Sequence, residues 1–317
     1  MILAKYLGYS FVDAKKIIFF NEDGSFNAEK TDEVVREYLS KHERAVIPGF
    51  YGSMPNGTIK TFTRGGSDIT GSIVSRAMSA SLYENWTDVS GVLMADPRII
   101  DNPKAIDVIT YRELREMSYM GATVLHEDAI FPVRYSKIPI IIRNTNDPEG
   151  EGTMIVSSTD IPNNNIVTGI AGKTGFSTIT VEKDMLKSDL SFARRTIQVI
   201  EECEIPFEHF PSGIDTMTLV VSTEMLEKKR ADVISGICKK VNPDNVFIED
   251  NLSLIAVVGR GMIKAKGTAA RVFTSLASSN INVRMIDQGS SELNIIIGVE
   301  SSDYVAAIKA IYNEFVK

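Results

Sequence analysis

The hydrophobic positions of the first 150 residues follow two periodicities that alternate along the chain. Short apolar runs, "AVIPGF" at Ala45–Phe50 and "IPIIIRN" at Ile138–Asn144, are typical of buried strands. Between them, apolar residues spaced four apart from Ile69 to Ala77 predict a helix with one apolar face, and Ser67–Trp86 is predicted to be this helix followed by a strand. Alternating strands and helices predict an α/β layer with a mostly parallel sheet.

The second half of the chain holds a repeated unit. A strand-like run, "FSTITV" at Phe176–Val181, precedes a helical pattern, two further strands and a second helix predicted over Thr223–Val241. The same order returns from "LSLIAVVG" at Leu252–Gly259 and continues to the end of the chain. A strand–helix–strand–strand–helix unit of this size predicts two copies of a small βαββαβ module.

The number of strands in the two copies differs, and this predicts how they are joined. The first copy closes with a fourth strand, "NVFIED" at Asn245–Asp250, whereas the second copy lacks one. The unassigned run "NIVTGIAGK" at Asn165–Lys173 is predicted to supply it, because an unpaired sheet edge promotes aggregation. The first module is then an insertion within the second.

Domain boundaries follow from this arrangement and from one loop. The segment "NTNDPEGEGT" at Asn144–Thr153 is rich in Asn, Pro and Gly, as loops are. We therefore expect an α/β domain over residues 1–155, a first module over 176–250, and a second module made of 163–173 and 251–317.

Composition narrows the range of partners. The 317 residues carry a net charge of −7, which argues against a nucleic-acid-binding protein, because such a protein needs a basic face. No segment approaches the ~20 apolar residues of a membrane span, and the first residues show no secretory pattern. Cys203 and Cys238 are predicted to be buried thiols in a reducing cytoplasm, and the three scattered histidines argue against a metal site made of His and Cys.

The stretch "TFTRGGSD" at Thr61–Asp68 places two glycines between an arginine and an aspartate before the predicted helix. Free N–H groups at a helix N-terminus attract anions, and glycines let a ligand approach the backbone closely. Arg64 adds a planar fork suited to a carboxylate. Asp68 cannot bind an anion and is expected to hold a metal ion or a lysine. The alternative is a Gly-Gly turn beside a surface ion pair.

Several motifs together resemble the aspartate kinases of the amino-acid kinase superfamily. They are "TRGGSD", "TDVSGVLMADPR" at Thr87–Arg98, "GATVLHEDA" at Gly121–Ala129, and the paired βαββαβ modules, which resemble ACT domains. The resemblance implies the C-terminal part of a three-layer α/β kinase domain followed by two ACT domains. It also implies transfer of the γ-phosphoryl group of ATP, with Mg²⁺, to L-aspartate. The product would be 4-phospho-L-aspartate, on the route to lysine, threonine and methionine.

The resemblance assigns roles to residues of the first domain. Arg64 would bind the substrate carboxylate, and Gly65, Gly66 and Ser67 would complete the substrate pocket. Asp68 would be catalytic by organising the phosphate-binding charges. The ATP-binding residues would be Thr87, Asp88, Asp96 and Arg98. An ion pair that only fixes a loop is the alternative for Asp96 and Arg98.

An effector site is expected in the first ACT module, where "FEHFPSGID" at Phe207–Asp215 resembles the family's effector-lining segment. The turn Met185–Ser188 follows the first strand and would approach the ligand backbone. Glu208, near the Ser212–Gly213 turn, would receive an ammonium group; a solvated strand residue is the alternative. The effector would be lysine, threonine or both. A homodimer or larger oligomer would form through the ACT modules.

Two departures from the family pattern affect the expected activity. Thr123 stands where many members carry a lysine, and no Lys-Phe-Gly-Gly motif occurs in these 317 residues. Roughly the first third of the family's catalytic domain is therefore expected to be absent, and the chain alone is expected to be nearly inactive. Truncation, a misassigned start and a real short form remain open. The alternatives are a non-catalytic amino-acid-sensing subunit and, with less similarity, a glutamate or carbamate kinase.

Overall fold

The computed structural model describes residues 1–63, 65–122, 127–159, 165–184, 189 and 191–316, with the backbone alone for 127–129. The chain forms two compact units. The first unit comprises Met1–Leu93, Ala105–Ser118 and Thr123–Ile161. The second unit comprises Met94–Lys104, Tyr119–Ala122 and Pro162–Lys317. Two short segments that are early in sequence therefore group with the C-terminal half.

The first unit is built from short elements. Its helices are α1 (Ile2–Leu7), α2 (Ala28–Leu39), α3 (Gly66–Ala77), α4 (Tyr111–Tyr119, whose last residue belongs to the second unit) and α5 (Glu127–Tyr135). Its strands are β1 (Ser10–Phe11), β2 (Ala45–Val46), β3 (Tyr51–Ser53), β4 (Ile59–Thr61), β5 (Tyr83–Thr87), β6 (Val108–Thr110), β7 (Ile140–Asn144) and β8 (Thr153–Val156).

The main sheet of the first unit has the order β5-β7-β8-β6. The β5–β7 and β6–β8 pairs are parallel and the β7–β8 pair is antiparallel, which agrees with the predicted mostly parallel sheet. The prediction of a buried strand over Ala45–Phe50 is wrong, because only Ala45–Val46 forms a strand. Pro48 offers no N–H, and Phe50 has a positive φ of 86°, so the run turns into a loop.

The second unit contains longer strands. They are β9 (Gly169–Glu182), β10 (Phe207–His209), β11 (Thr216–Ser222), β12 (Asn245–Val258), β13 (Val283–Asp287) and β14 (Asn294–Glu300). Its helices are α6 (Phe192–Glu202), α7 (Thr223–Glu227), α8 (Arg230–Val241), α9 (Thr268–Ser278) and α10 (Tyr304–Phe315). The single helix predicted over Thr223–Val241 is wrong, because Lys229 leaves the helical conformation with φ −134°.

The pairing of β9 with β12 confirms the strand borrowing predicted from the repeat. Gly169–Lys173 pairs with Leu254–Val258, and the C-terminal part of β9 pairs with Asn245–Glu249. The four strands predicted here are two continuous strands in the six-stranded order β10-β11-β9-β12-β14-β13. Positive φ at Gly175 and Asn251, together with shifts of register, bends both strands without ending them. The bounds of the two modules remain a prediction.

Packing explains why the second unit holds these strands. Every residue of Leu252–Val258 is fully buried. In the N-terminal module, Phe192 and Ile200 from α6 pack with Ile179 and Leu219 from the sheet in one apolar cluster. The prediction that both thiols are buried is wrong, because Cys203 is only partly buried and Cys238 is exposed. None of the helices in the described residues is long and apolar enough to cross a membrane.

Candidate functional site

The N-terminus of α3 has the geometry of an anion site. Gly65 precedes the helix in the left-handed conformation, with φ 62°, and contributes no side-chain cap. Gly66 opens the helix, and Ser67 in the first turn is exposed. The first N–H groups of a helix have no partner within the helix, so this end can donate to an anionic group. Arg64, the predicted carboxylate ligand, lies outside the described residues.

The glycines at this helix start are required by a closely packed loop. A Cβ atom on Gly66 would lie 2.5 Å from Phe50 Cδ2 and 3.0 Å from Phe50 Cα. A Cβ on Gly49 would lie 2.9 Å from Ser67 Cα. Phe50 is held in its strained conformation because its N–H donates to Thr70 Oγ1 at 3.1 Å. Sequence reasoning missed Gly49 and Phe50, although a Pro-Gly pair inside an apolar run is a turn signal.

Asp68 is held against strand β5. Asn85 Nδ2 donates to Asp68 Oδ1 at 3.1 Å, and the Tyr83 hydroxyl donates to the Asp68 carbonyl at 3.2 Å. Asn85 is buried, and burial raises the pKa of Tyr83 to about 12, so this hydroxyl stays protonated as a donor. These bonds fix the orientation of the carboxylate in the first turn of α3. Neither Tyr83 nor Asn85 was predicted; polar residues within the strand "YENWT" were the available signal.

Thr87 and Asp88 lie where β5 ends. Thr87 Oγ1 donates to Asp88 Oδ1 at 3.1 Å, and Thr145 N donates to the Thr87 carbonyl at 2.8 Å. Thr87 follows Asn85 by two residues, so both side chains leave the same face of β5, about 6–7 Å apart along the strand. The structure therefore brings Asp68 and Thr87 to one side of the unit.

The carboxyl ends of the parallel strands β5 and β7 form one polar edge. Asn144, the last residue of β7, donates through Nδ2 to Ser90 Oγ at 2.9 Å. Nucleotides bind preferentially at this kind of edge in α/β sheets. Ser90 and Asn144 were not predicted, because each is a common loop residue and only the parallel pairing places them together.

Asp96 and Arg98 belong to the second unit, unlike Thr87 and Asp88. Asp96 accepts from the Arg98 backbone N–H at 2.8 Å and from Arg98 Nη2 at 2.6 Å. The Arg98 guanidinium holds the pKa of the Asp96 carboxyl below its usual range. This is the geometry of the loop-fixing ion pair, and the structure does not place these two residues in the same unit as the other nucleotide candidates.

The effector candidates are only partly described. Met185 and Ser188 lie outside the described residues. Glu208 is half-buried on β10, where its Oε2 accepts a hydrogen bond from the Tyr119 hydroxyl. Ser212 and Gly213 lie in the β10–β11 connection, and Gly213 N donates to the Thr216 carbonyl at 2.8 Å. Glu208 and the Ser212–Gly213 turn therefore share one hairpin.

The residue after Glu208 makes a contact that sequence reasoning missed. His209 Nδ1 lies 2.7 Å from Asp287 Oδ2, so a residue of β10 is linked to one of β13. These strands are at the two ends of the sheet order, and they come from the two copies of the repeat. Their separation in sequence, 78 residues, explains why no local pattern indicated the pair.

The described residues contain no group of three or more His, Cys, Asp or Glu side chains arranged to hold a metal ion. Mg²⁺ bound with a nucleotide does not need such a group, because it keeps several waters and takes one or two carboxylates plus phosphate oxygens. The oxygen atoms of Asp68, Thr87 and Asp88 suit this chemistry.

Comparison with known families identifies both halves of the chain. Residues 2–144 match the Amino acid kinase family, and residues 255–315 match the ACT domain. Aspartokinase 3 of Bacillus subtilis is 39% identical over 325 residues, covering 99% of this chain and 71% of the relative.

Solved structures agree with this assignment. The crystal structure of Clostridium acetobutylicum aspartate kinase has 54% sequence identity and a TM-score of 0.93, covering 99% of this chain and 72% of that one. Aspartokinase III of E. coli, in complex with lysine and aspartate, has 25% identity and a TM-score of 0.74, covering 97% of this chain and 69% of that one. The kinase half, the ACT half and the relatives that contain both show that the chain belongs to the aspartokinase family.

Proposed function

We propose that the protein phosphorylates the side-chain carboxylate of L-aspartate with ATP, giving 4-phospho-L-aspartate. The observation that carries the proposal is the uncapped N-terminus of α3, joined through the Asp68–Asn85 hydrogen bond to the strand that ends at Thr87. The helix N-terminus and the nucleotide-type sheet edge thus both belong to the first unit and are linked by this hydrogen bond. An aspartate kinase needs these two features side by side.

Each candidate site residue has a separate role in phosphoryl transfer, a reaction that depends mainly on positioning and charge neutralisation. The backbone N–H groups of Gly66 and Ser67, with Arg64, bind a carboxylate of aspartate. Asp68, whose orientation Asn85 fixes, organises the cationic groups around the phosphates. Thr87 and Asp88 contact the nucleotide at the end of β5. When bound, Mg²⁺ supplies the charge that neutralises the ATP phosphates.

Substitution of Arg64 tests the substrate assignment. Arg64→Ala removes one or two charged hydrogen bonds worth about 1.5–3 kcal/mol each. In a full-length enzyme, we expect kcat/KM for aspartate to fall at least tenfold while the KM for ATP stays unchanged, because 1.36 kcal/mol corresponds to a factor of ten. Arg44→Ala is the control, since this exposed guanidinium lies over the Tyr9 ring. Equal losses for aspartate and ATP would show that Arg64 has another role.

We further propose that lysine, threonine or both regulate the enzyme through the N-terminal ACT module, with Glu208 receiving the ammonium group. Support comes from the half-buried carboxylate on the β10–β11 hairpin and from the ACT match over residues 255–315, the other copy of the same repeat. Glu208→Ala should weaken lysine binding by about 1.5–3 kcal/mol, the range of a charged hydrogen bond, in a calorimetric titration. Unchanged lysine and threonine affinities would remove Glu208 from the site.

The activity of the 317 residues by themselves remains a prediction. They contain no Lys-Phe-Gly-Gly, and loss of a phosphate-binding lysine costs several kcal/mol of transition-state stabilisation. We expect purified chain to form aspartyl phosphate, trapped as the hydroxamate, well below the usual kinase range of about 1–100 s⁻¹. A chain that binds amino acids without turnover would favour the second candidate, a sensing subunit.

A further inference from the structure

One hydrogen bond joins the candidate effector carboxylate to a helix that begins in the first unit. The Tyr119 hydroxyl donates to Glu208 Oε2 across 89 positions of sequence. Tyr119 is the last residue of α4, and the first eight residues of that helix belong to the first unit. The bond therefore ties Glu208 to an element that is covalently continuous with the kinase half.

Helix α4 is firmly anchored at its other end. Glu113 Oε2 accepts from the Thr110 N–H at 2.9 Å and from Thr110 Oγ1 at 2.7 Å, which caps the helix start. The Tyr111 hydroxyl donates to the Ile138 carbonyl, and Leu114 and Met117 are fully buried. These contacts fix the first eight residues of α4 within the first unit.

The Tyr119–Glu208 hydrogen bond leaves acceptor positions of the carboxylate available to a ligand. An ionised carboxylate has two oxygens with about four acceptor positions, and the Tyr119 hydroxyl occupies a position on one oxygen only. Desolvation, with a further contribution from Glu208, raises the pKa of Tyr119 to about 12, so the hydroxyl remains a donor at physiological pH. Tyr119 as a whole residue is 60% exposed, and its hydroxyl is the atom that contacts Glu208.

We propose that Tyr119 is a positioning residue of the effector site: its hydroxyl fixes the Glu208 carboxylate so that the second oxygen receives the ammonium group of an amino acid. The inference rests on the proposed effector role of Glu208. Because binding and coupling are reciprocal, an effector that favours this carboxylate orientation also favours the contact with α4. Tyr119 is thereby the residue of α4 that the effector carboxylate contacts.

The experiment is a double-mutant cycle in the whole protein, with L-lysine and, in a second titration, L-threonine as probes. Calorimetry measures the Kd of each amino acid for wild type, Tyr119→Phe, Glu208→Ala and the double variant. Hydroxamate assays measure the half-inhibitory concentration, kcat and KM for aspartate. Tyr135→Phe is the matched control, because it removes the hydroxyl of another exposed tyrosine, on α5. Tyr119→Ala tests whether the ring contributes.

Tyr119→Phe should raise the Kd about three- to tenfold, which corresponds to a typical net hydrogen bond, because Tyr119 is exposed to water. The half-inhibitory concentration should rise by the same factor, and kcat and KM without effector should not change. In the Glu208→Ala background, Tyr119→Phe should have no further effect, since no carboxylate remains to be oriented.

Three results would overturn the inference in distinguishable ways. A wild-type Kd in Tyr119→Phe, with a weaker one in Glu208→Ala, would leave the effector site in place and remove Tyr119 from it. An equal loss on Tyr119→Phe in both backgrounds would show a structural role unrelated to Glu208. A wild-type Kd in Glu208→Ala would contradict the proposed effector site itself, and the inference with it.

Discussion

The two compact units place their candidate sites in opposite kinds of structure. The first unit's site is formed by strands of two to five residues, a helix N-terminus and the loop at Pro48–Phe50. The second unit is organised by β9 and β12, two strands of 14 residues that each contribute to both halves of one sheet. A substrate site needs exposed backbone at the ends of elements, whereas a regulatory sheet needs continuity between its two halves.

The glycines show the same contrast at the level of single atoms. In the first unit, a Cβ on Gly66 would meet the Phe50 ring at 2.5 Å and the Phe50 Cα at 3.0 Å, so it would press on the loop beside the candidate substrate site. In the second unit, a Cβ on Gly236 in α8 would meet Val199 Cγ1 at 2.7 Å, a side chain buried in the apolar core. The close packing therefore lies beside the candidate site in the first case and within the core in the second.

The largest expected effect comes from breaking a shared strand. Ala256 is fully buried and pairs with Ala171 on one side and Ile296 on the other. Ala256→Pro removes a ladder hydrogen bond in a central strand and should lower the free energy of unfolding by about 3 kcal/mol or more. Urea denaturation measures this loss.

A matched proline in the first unit should be much milder. Ile59 is exposed and is the first residue of β4, a position that tolerates proline. Ile59→Pro should change the free energy of unfolding by less than about 1 kcal/mol. Similar losses for Ile59→Pro and Ala256→Pro would contradict the proposed difference between the units.

Exchanging the two glycines for alanine should separate catalysis from packing. Gly66→Ala displaces Phe50 and should reduce kcat/KM for aspartate at least tenfold, because small displacements at a substrate site are costly. Gly236→Ala should leave kcat/KM unchanged. Its overpacking should lower the free energy of unfolding, and the higher helix propensity of alanine, about 0.5–1 kcal/mol, should offset part of that loss. Steady-state kinetics and urea denaturation of both variants check this. A tenfold kinetic loss in Gly236→Ala would refute the separation.

The smallest expected effect is a pH-dependent one in the second unit. Hydrogen bonds from Ser177 Oγ at 2.6 Å and from the Arg230 guanidinium at 2.8 Å lower the pKa of Asp250. Because the pKa of Asp250 is lower in the folded state than in the unfolded state, its ionised carboxylate stabilises the fold at pH values above the unfolded pKa of about 3.9. This stabilisation is lost as the pH falls through the folded-state pKa. Since the pair is partly exposed, Asp250→Asn should cost at most about 1 kcal/mol at pH 7.

The control for this prediction is the stability difference between wild type and Asp250→Asn measured at acidic pH. Wild type and Asp250→Asn should converge in stability once the pH is below the folded-state pKa of Asp250, as followed by thermal unfolding at a series of pH values. A difference that stays constant from pH 7 into strong acid would mean that the asparagine acts through packing rather than through charge.

Local patterns predicted the parts of this fold that local chemistry determines. The α3–β5 unit, strand β7 and the strand borrowed from Gly169–Lys173 all follow from periodicity and strand counting. The continuity of β9 was not predictable, because the exposed residues around Gly175 resemble a loop, and only pairing with β12 keeps them extended. The Tyr119–Glu208 contact was equally hidden, since 89 positions separate its partners.

The candidate site could be predicted only where residue types restrict geometry. Two glycines before an amphipathic helix led to the anion site predicted at Gly65–Ser67, which stays a prediction. Asn85 contacts Asp68 because β5 packs against the start of α3, and Phe50 contacts Gly66 because the loop before β3 does so too. No pattern in the sequence alone indicates this packing.

The most direct test of the proposed reaction is the substrate dependence of product formation by the whole protein. With ATP, Mg²⁺ and hydroxylamine present, hydroxamate should appear in a saturable manner with L-aspartate and stay at background with L-glutamate at equal concentration. Equal turnover of the two amino acids, or product that does not depend on aspartate, would contradict an aspartate site at the start of α3.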